Sequence, residues 1–597
     1  MKRRSPGSNA LPLALRQWVP FSAGRPKDGR PLLPASNVFL DQSGFDMPRR
    51  TNFPFMLVLI PLVWFSMGSG PPEDTYPRQP GIDAIHYAFR ITLQDDTDRI
   101  VAEADVAIRF LHQGVTDLAL DLASVSEASN GAGMTVSGVT SGRETVRWEH
   151  DANRLLITLD EPPEVGETRT FTVRYAGIAA EGLNIGPNRY GERTFFSVNW
   201  PDKARHWLPM IDHPYDKATS EFIVTAPAHY QVVANGLLQE ETDLGDGKRR
   251  THWKQSVPIP SWLNALGVAR FASRHFGSVN GIPLQTWVFH QDREAGIATF
   301  EAPVRDAMVF FSDYIGPYPY EKLANVEAAG MGGGMEHASA IFYGARSVTM
   351  EPATGLVTHE IAHQWFGNSV TESDWDDVWL SEGFATYLTL LATEHYRGRD
   401  AFVDGLQRSR ESVWAGEARD PEETVVHHNL SDMSEVLSGL QYQKGAWILH
   451  MLRWEIGTEA FHAGIREYYS RYRDSTATTA DFVGLMEEIS GEELGWFFDQ
   501  WLHRTPSPAL EGHWGYDSDT GQIEIELEQT QIGPPYRLDL EIGIHEAAGA
   551  DPRIDVIRMT EKRQSFRLDV GVEPAAVMLD PNTWVLVQVG FEKREDS

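Results

Sequence analysis

Two hydrophobic periods alternate along the chain. From Tyr87 the runs "YAFRITL" and "IVAEADVAIRF" place apolar residues at every second position, and similar runs separated by Gly, Asp and Asn turns continue to about residue 290. Period two is the mark of strands with one buried face, so residues 80–290 are expected to form an N-terminal all-β domain. Over 291–505 the spacing lengthens to three and four residues, as in "VRDAMVFFSDYI" and "GAWILHMLRWEI", which predicts amphipathic helices. Beyond "WFFDQWLHRTPSPAL" period two returns in "QIEIELEQ", "RLDLEIGIH" and "WVLVQV", so a C-terminal β-sandwich is expected over 506–597. The pattern thus describes a multidomain chain with a mostly helical centre between two β regions.

The first residues fit neither period. Residues 1–46 are rich in Pro and Arg and are expected to be a disordered or non-native extension. The apolar run Phe53–Phe65, "FPFMLVLIPLVWF", follows Arg49 and Arg50 and precedes small residues at Ser66 and Gly68. This reads as a cleavable secretory signal over 47–70, with Met47 as the start, and predicts a secreted or periplasmic protein. An uncleaved anchor is the alternative, against which the short run and Pro61 both count, so no stable membrane span is expected in the mature chain.

Composition narrows the chemistry. The 597 residues are 42% hydrophobic with 18 Trp, enough for several packed cores. A formal charge of -32 argues against nucleic acid as a partner. The absence of Cys excludes disulfides, a thiol nucleophile and a lipidated cysteine.

The chemistry is concentrated in Val357–Asn368, "VTHEIAHQWFGN". On a helix, His359 and His363 fall on one face about one turn apart, so two imidazoles can converge on one metal ion, with Glu360 beside them as a base. A three-position pattern also occurs by chance, and zinc requires a third protein ligand. Glu382, in the apolar segment "VWLSEGFATY", supplies one.

The stretch "HEIAHQWFGNSVTESDWDDVWLSEGFATY" resembles the gluzincin zinc aminopeptidases of the aminopeptidase N family. The resemblance implies a thermolysin-like catalytic domain, one Zn²⁺ on His359, His363 and Glu382, and Glu360 as general base for water. It extends upstream to "AGMGGGMEHASAIFY", similar to the family's G-x-M-E-N segment through Gly333, Gly334, Met335 and Glu336. There the resemblance implies a substrate-lining segment from Gly333 to His337 whose Glu336 binds a free α-amine; His337, expected beside the substrate's first peptide unit, stands where the family has asparagine. It extends downstream to "LQYQKGAW", where Tyr442 is implied as the oxyanion donor. In the N-terminal region Ala204, Arg205, Pro209, Asp212, Pro214 and Lys217 match a further family signature. Asn199 occupies the region where relatives place a second amine-binding residue. Among Glu372, Asp374, Asp376 and Asp377, some are candidates to orient the ligand imidazoles and most are expected on the surface. The implied function is removal of N-terminal residues from peptides that carry a free N-terminus. A hydrolase of another substrate, as in a family branch that opens a lipid epoxide, and a non-catalytic binding protein are the alternatives; Glu360, Glu382 and Tyr442 together count against the latter.

Overall fold

The computed structural model describes residues 74–547, 549 and 551–594, which fall within one compact unit. The expected extension and secretory run lie outside the described residues. The N-terminal part is built on an eight-stranded sheet in which Ile82–Thr92 pairs antiparallel with Ile100–Phe110 and parallel with Ala218–Pro227. Along Ile100–Phe110 every second residue from Ile100 to Phe110 is buried, which is why the alternating pattern was readable. A four-stranded and a three-stranded sheet close this region around a core that includes Phe89, Val106, Trp207 and Trp253.

A five-stranded sheet follows, with Phe271–Val279, Ile282–Phe289, Leu323–Ala328, Ala340–Gly344 and Gly334–Met335 in spatial order. Its first two strands precede residue 290, where the sequence pattern set the end of the β-domain. Periodicity shows that these are strands; only their pairing with Leu323–Ala328 shows which sheet they join.

Helix α1 (Arg293–Tyr314) lays Phe300, Val304, Met308 and Phe311 into a second core, shared with Val326 and Phe342 of this sheet. Helices α2 (Thr354–His363), α3 (Trp379–Arg397) and α4 (Arg399–Arg419) come next, and a π-turn, Leu440–Lys444, leads into α5 (Gly445–Ile456). Helix α3 packs against both α2 and α5. The α3–α5 approach depends on two glycines, since a Cβ on Gly383 would lie 3.0 Å from the Gly445 Cα.

After α5 two further helices and Gly495–Leu502 complete the bundle. The C-terminal strands form a four-stranded sheet, Arg563–Asp569, Gln522–Gln529, Ala509–Asp517 and Gln588–Lys593, and a three-stranded sheet, Arg553–Met559, Leu538–His545 and Ala576–Leu579. Their buried residues, such as Ile525 and Ile542, join the same core as the helices. Among the described residues no helix is long and apolar enough to cross a membrane.

Candidate metal centre and substrate cleft

Helix α2 presents His359 and His363 from successive turns, and α3 brings Glu382 to meet them from its first turn. The His359 and His363 Nε2 atoms are 3.1 Å apart, and Glu382 Oε2 lies 3.3 Å from the first and 3.2 Å from the second. Ligands of a tetrahedral ion bonded at about 2.0–2.1 Å lie about 3.3–3.4 Å from one another, so the triangle has the size zinc requires. His363 Nδ1 faces the Phe366 carbonyl oxygen at 3.3 Å and Ser381 Oγ at 3.1 Å. A carbonyl only accepts, so the Nδ1 proton is held there and the Nε2 lone pair is left to face the cluster.

Charge balance shows the cluster's need for positive charge, which in the ion-free chain falls on His363 itself. Burial works against a His363 cation, yet Glu336 and Glu382 outweigh it and lift the group to about 10. Burial likewise opposes the Glu382 carboxylate, but His363 and the hydrogen bonds of both imidazoles hold it well below the usual carboxylate range. Two imidazoles and several carboxylates with this demand for positive charge fit a bound divalent cation.

Glu360, next to His359 on α2, is buried, and burial together with repulsion from Glu336 pushes its carboxyl well above the usual range. Glu336 lies beside it, since ligating atoms of Glu336, Glu360 and His363 all fall within 4.8 Å of one another. Burial raises the Glu336 carboxyl to about 7. Gly334 and Met335 form the short strand leading into Glu336, pairing with Tyr343 and Phe342. A Cβ built on Gly334 would fall 2.3 Å from Glu360 Oε1, so the strand passes directly against the Glu360 carboxyl. Gly333 adopts φ +63°, a left-handed conformation that favours glycine at the entry to the strand.

Tyr442 sits in the π-turn before α5, half-buried, with its ring stacked 6.1 Å from that of His359. Burial and then Glu382 push its hydroxyl well above the usual tyrosine range, which keeps it a proton donor.

Three expectations are corrected. Asn199 is fully buried, with Nδ2 donating to the Asn264 carbonyl at 2.8 Å and Oδ1 accepting from Trp207 Nε1 at 2.9 Å. Both ends of its amide are engaged inside the protein, so it is not presented to a substrate amine. His337 is also fully buried, with neither ring nitrogen hydrogen-bonded and the ring against Phe342 at 4.7 Å. Burial pushes it down to about 3, so it is a neutral wall of the core. Glu372, Asp374, Asp376 and Asp377 are all buried, contrary to the surface expectation. Asp374 receives the Asp74 N–H and Arg78, Asp376 receives the Asn429 and Leu430 N–H groups, and Asp377 receives Thr479. These three aspartates tie separate segments together, neither Glu372 carboxylate oxygen has a hydrogen-bond partner among the described residues, and none of the four bonds to a ligand imidazole.

The upstream signature is likewise structural, as Arg205 Nε pairs with Asp212 Oδ2 at 3.1 Å. Sequence reasoning missed Gln364 and Asn368, whose side-chain amides donate to the Glu336 carbonyl just past the Gly334–Met335 strand. Their signal was an amide side chain at positions 364 and 368 of an otherwise apolar run continuing the histidine helix.

Two family models match the chain. The Peptidase M1 N-terminal domain covers residues 83–263 and the Peptidase family M1 domain covers 299–501, which contains every residue of the cluster. The chain belongs to the M1 peptidase family. Membership implies one catalytic zinc per chain, in agreement with the His359, His363 and Glu382 triangle. Among the curated relatives, glutamyl aminopeptidase of Bitis rhinoceros is 29% identical over 462 residues, spanning 73% of this chain and 48% of the relative. Glutamyl aminopeptidase of Bos taurus is 30% identical over 337 residues, spanning 52% of this chain and 34% of the relative. The chain therefore spans about half the length, or less, of these relatives. The M1 zinc metallopeptidase of Deinococcus radiodurans, solved as a mutant bound to a Tyr-Ser-Ala substrate, is 26% identical with a TM-score of 0.63. That match covers 73% of this chain and 98% of the neighbour. Aminopeptidase A of Legionella pneumophila shares the fold, with a TM-score of 0.73 at 18% identity over 88% of this chain and 61% of the neighbour.

Proposed function

We propose that the protein is a zinc-dependent aminopeptidase that hydrolyses the N-terminal residue from peptides with a free N-terminus. The observation that carries this reading is the adjacency of Glu336 to Glu360 and His363 within 4.8 Å. A carboxylate so near the base leaves room for about one residue between an anchored α-ammonium and the bond that is cut, which sets an exopeptidase register. An α-amine with pKa about 7.7–8 is mostly protonated at neutral pH and pairs with Glu336.

His359, His363 and Glu382 would hold a zinc ion, whose chemistry there would be to polarise the scissile carbonyl and acidify a water. Glu360 accepts the proton of the attacking water on its carboxylate and later delivers it to the departing peptide nitrogen, so it begins and ends the cycle in one protonation state. The Tyr442 hydroxyl donates to the oxygen on which negative charge develops. Gly333, Gly334 and Met335 offer a backbone edge along which an extended substrate can lie.

The named relatives, glutamyl aminopeptidases, and the neighbour bound to a tripeptide substrate support the substrate class. The same reading ends the β-domain before Phe271, because Phe271–Val279 and Ile282–Phe289 share a sheet with Leu323–Ala328; it takes the chain from there to residue 505 as catalytic domain, 506–597 as β-sandwich, and the basic-apolar run over 47–70 as a secretory signal that directs the enzyme out of the cytoplasm. The test is chelation followed by metal return. Aminoacyl arylamides should be hydrolysed by the purified protein, lost on removal of metal and recovered with one equivalent of zinc. A protein that binds zinc yet cleaves no member of an arylamide panel would refute the assignment.

A further inference from the structure

The amine anchor stands where the sheet stops holding the chain. Gly334 and Met335 are paired with Tyr343 and Phe342, and the register ends there, one residue before Glu336. Two buried side-chain amides take over. The Glu336 carbonyl oxygen accepts from Gln364 Nε2 at 2.8 Å and from Asn368 Nδ2 at 2.6 Å. Both donors come from the chain segment that leaves α2, immediately after the candidate ligand His363.

Neither donor is loose. Gln364 Oε1 accepts the Ser339 N–H at 2.9 Å and the Tyr318 hydroxyl at 3.1 Å, so its amide brackets His337 from both sides. The Asn368 N–H donates to the His363 carbonyl at 3.0 Å. The Asn368 carbonyl accepts from Lys217 Nζ at 3.0 Å and from Thr371 Oγ1 at 2.8 Å. The Lys217 ammonium also reaches the Ser369 carbonyl at 2.8 Å, Thr371 Oγ1 at 3.0 Å and the Ser475 carbonyl at 3.1 Å. Lys217 immediately precedes the strand Ala218–Pro227 of the eight-stranded sheet, so the N-terminal β region grips this loop directly.

The path from the anchor to the metal ligands is therefore short and made of fixed groups: Glu336 carbonyl, Gln364 and Asn368 amides, His363 backbone. We propose that Gln364 and Asn368 are positioning residues that set the Glu336 carboxylate at the right distance from the metal centre to receive a substrate α-amine, and that Lys217 braces them from the N-terminal β region. This rests on Glu336 as the amine anchor. It goes beyond that reading by assigning free-amine recognition to a bracket in which the second part of the chain supplies the donors and the first part the clamp. The base and the ligand triangle do not depend on these amides for their own contacts, so loss of the bracket should damage amine recognition selectively.

The experiment compares two zinc-directed probes that differ only in the amine, leucine hydroxamate and 4-methylpentanohydroxamate, by calorimetry on the zinc-loaded full chain. In Asn368→Leu, affinity for leucine hydroxamate should fall about 10-fold to 100-fold, the loss expected for a displacement on the order of 1 Å, while the des-amino probe changes by less than about threefold. Gln364→Leu removes the other donor and should show the same selective loss, which keeps the test open if one variant does not fold; Lys217→Met should show it in weaker form. Zinc content should stay at one per chain in each. Equal losses on both probes would make the amides merely structural and overturn the inference, as would unchanged affinity for both. If the wild type itself shows no preference for the amine-bearing probe, the anchor role of Glu336 falls and this inference with it. If the wild type prefers it, Glu336→Gln abolishes the preference and Asn368→Leu and Gln364→Leu retain it, only the inference falls.

Discussion

Replacing His337 by asparagine should remove a specific pH dependence of stability. In the unfolded chain a histidine titrates near about 6.5. In the folded protein burial pushes His337 down to about 3, and no hydrogen bond or carboxylate opposes the shift. The folded pKa is depressed, so the folded state binds fewer protons than the unfolded state between these two values. Stability from this group is full above the unfolded pKa and is lost as pH falls below it. At about pH 5, roughly 1.5 pH units below the unfolded value, the loss is about 2 kcal/mol at about 1.36 kcal/mol per unit. Asparagine does not titrate and has no such term. Urea unfolding of wild type and His337→Asn at about pH 7.5 and about pH 5 gives four midpoints, and their double difference isolates the residue. Other buried groups cancel, including His450, which burial also pushes to about 3. The wild type should lose about 2 kcal/mol more than the variant on acidification. Equal losses, within about 0.5 kcal/mol, would show that His337 is solvated or partnered in solution and that its burial is misjudged. The same reasoning keeps His337 neutral across the neutral pH range, so His337→Asn should leave the shape of the pH profile of arylamide hydrolysis unchanged.

Other outcomes follow from the cluster. Glu360→Gln should keep one zinc per chain while kcat falls by about 100-fold to 10,000-fold, read by metal analysis beside an arylamide assay; retained turnover would remove Glu360 from the mechanism. Tyr442→Phe should lower kcat on the order of 100-fold with little change in KM, whereas a change confined to KM would mark Tyr442 as a binding residue. Acetylation of a substrate's N-terminus should abolish cleavage and Glu336→Ala should weaken free-amine substrates; mass spectrometry showing efficient internal cuts in acetylated peptides would make the protein an endopeptidase.

The sequence by itself determined what depends on local spacing. Period two and the longer helical period located the β regions and the helical centre, because each side chain's burial repeats with the geometry of its own element. His359, Glu360 and His363 were legible for the same reason, since one helix fixes their relation, and Glu382, Glu336 and Tyr442 were legible through runs that resemble a family. The tertiary structure decided which groups join the His359–His363–Glu382 cluster and which are closed into the core. Asn199 and His337 have residue types suited to recognising a substrate, yet packing closes both away, Asn199 by internal hydrogen bonds and His337 without any. Of four carboxylates, most of them expected on the surface, all are buried, and Asp374 and Asp376 are met by Asp74, Arg78 and the Asn429 N–H from distant parts of the chain. The strands Phe271–Val279 and Ile282–Phe289 carry the same period as those before them, but their pairing, a contact between residues far apart in sequence, places them in the sheet that supports Glu336. The bracket of Gln364, Asn368 and Lys217 was beyond any spacing rule, because a hydrogen bond across 151 residues leaves no periodic trace along the chain.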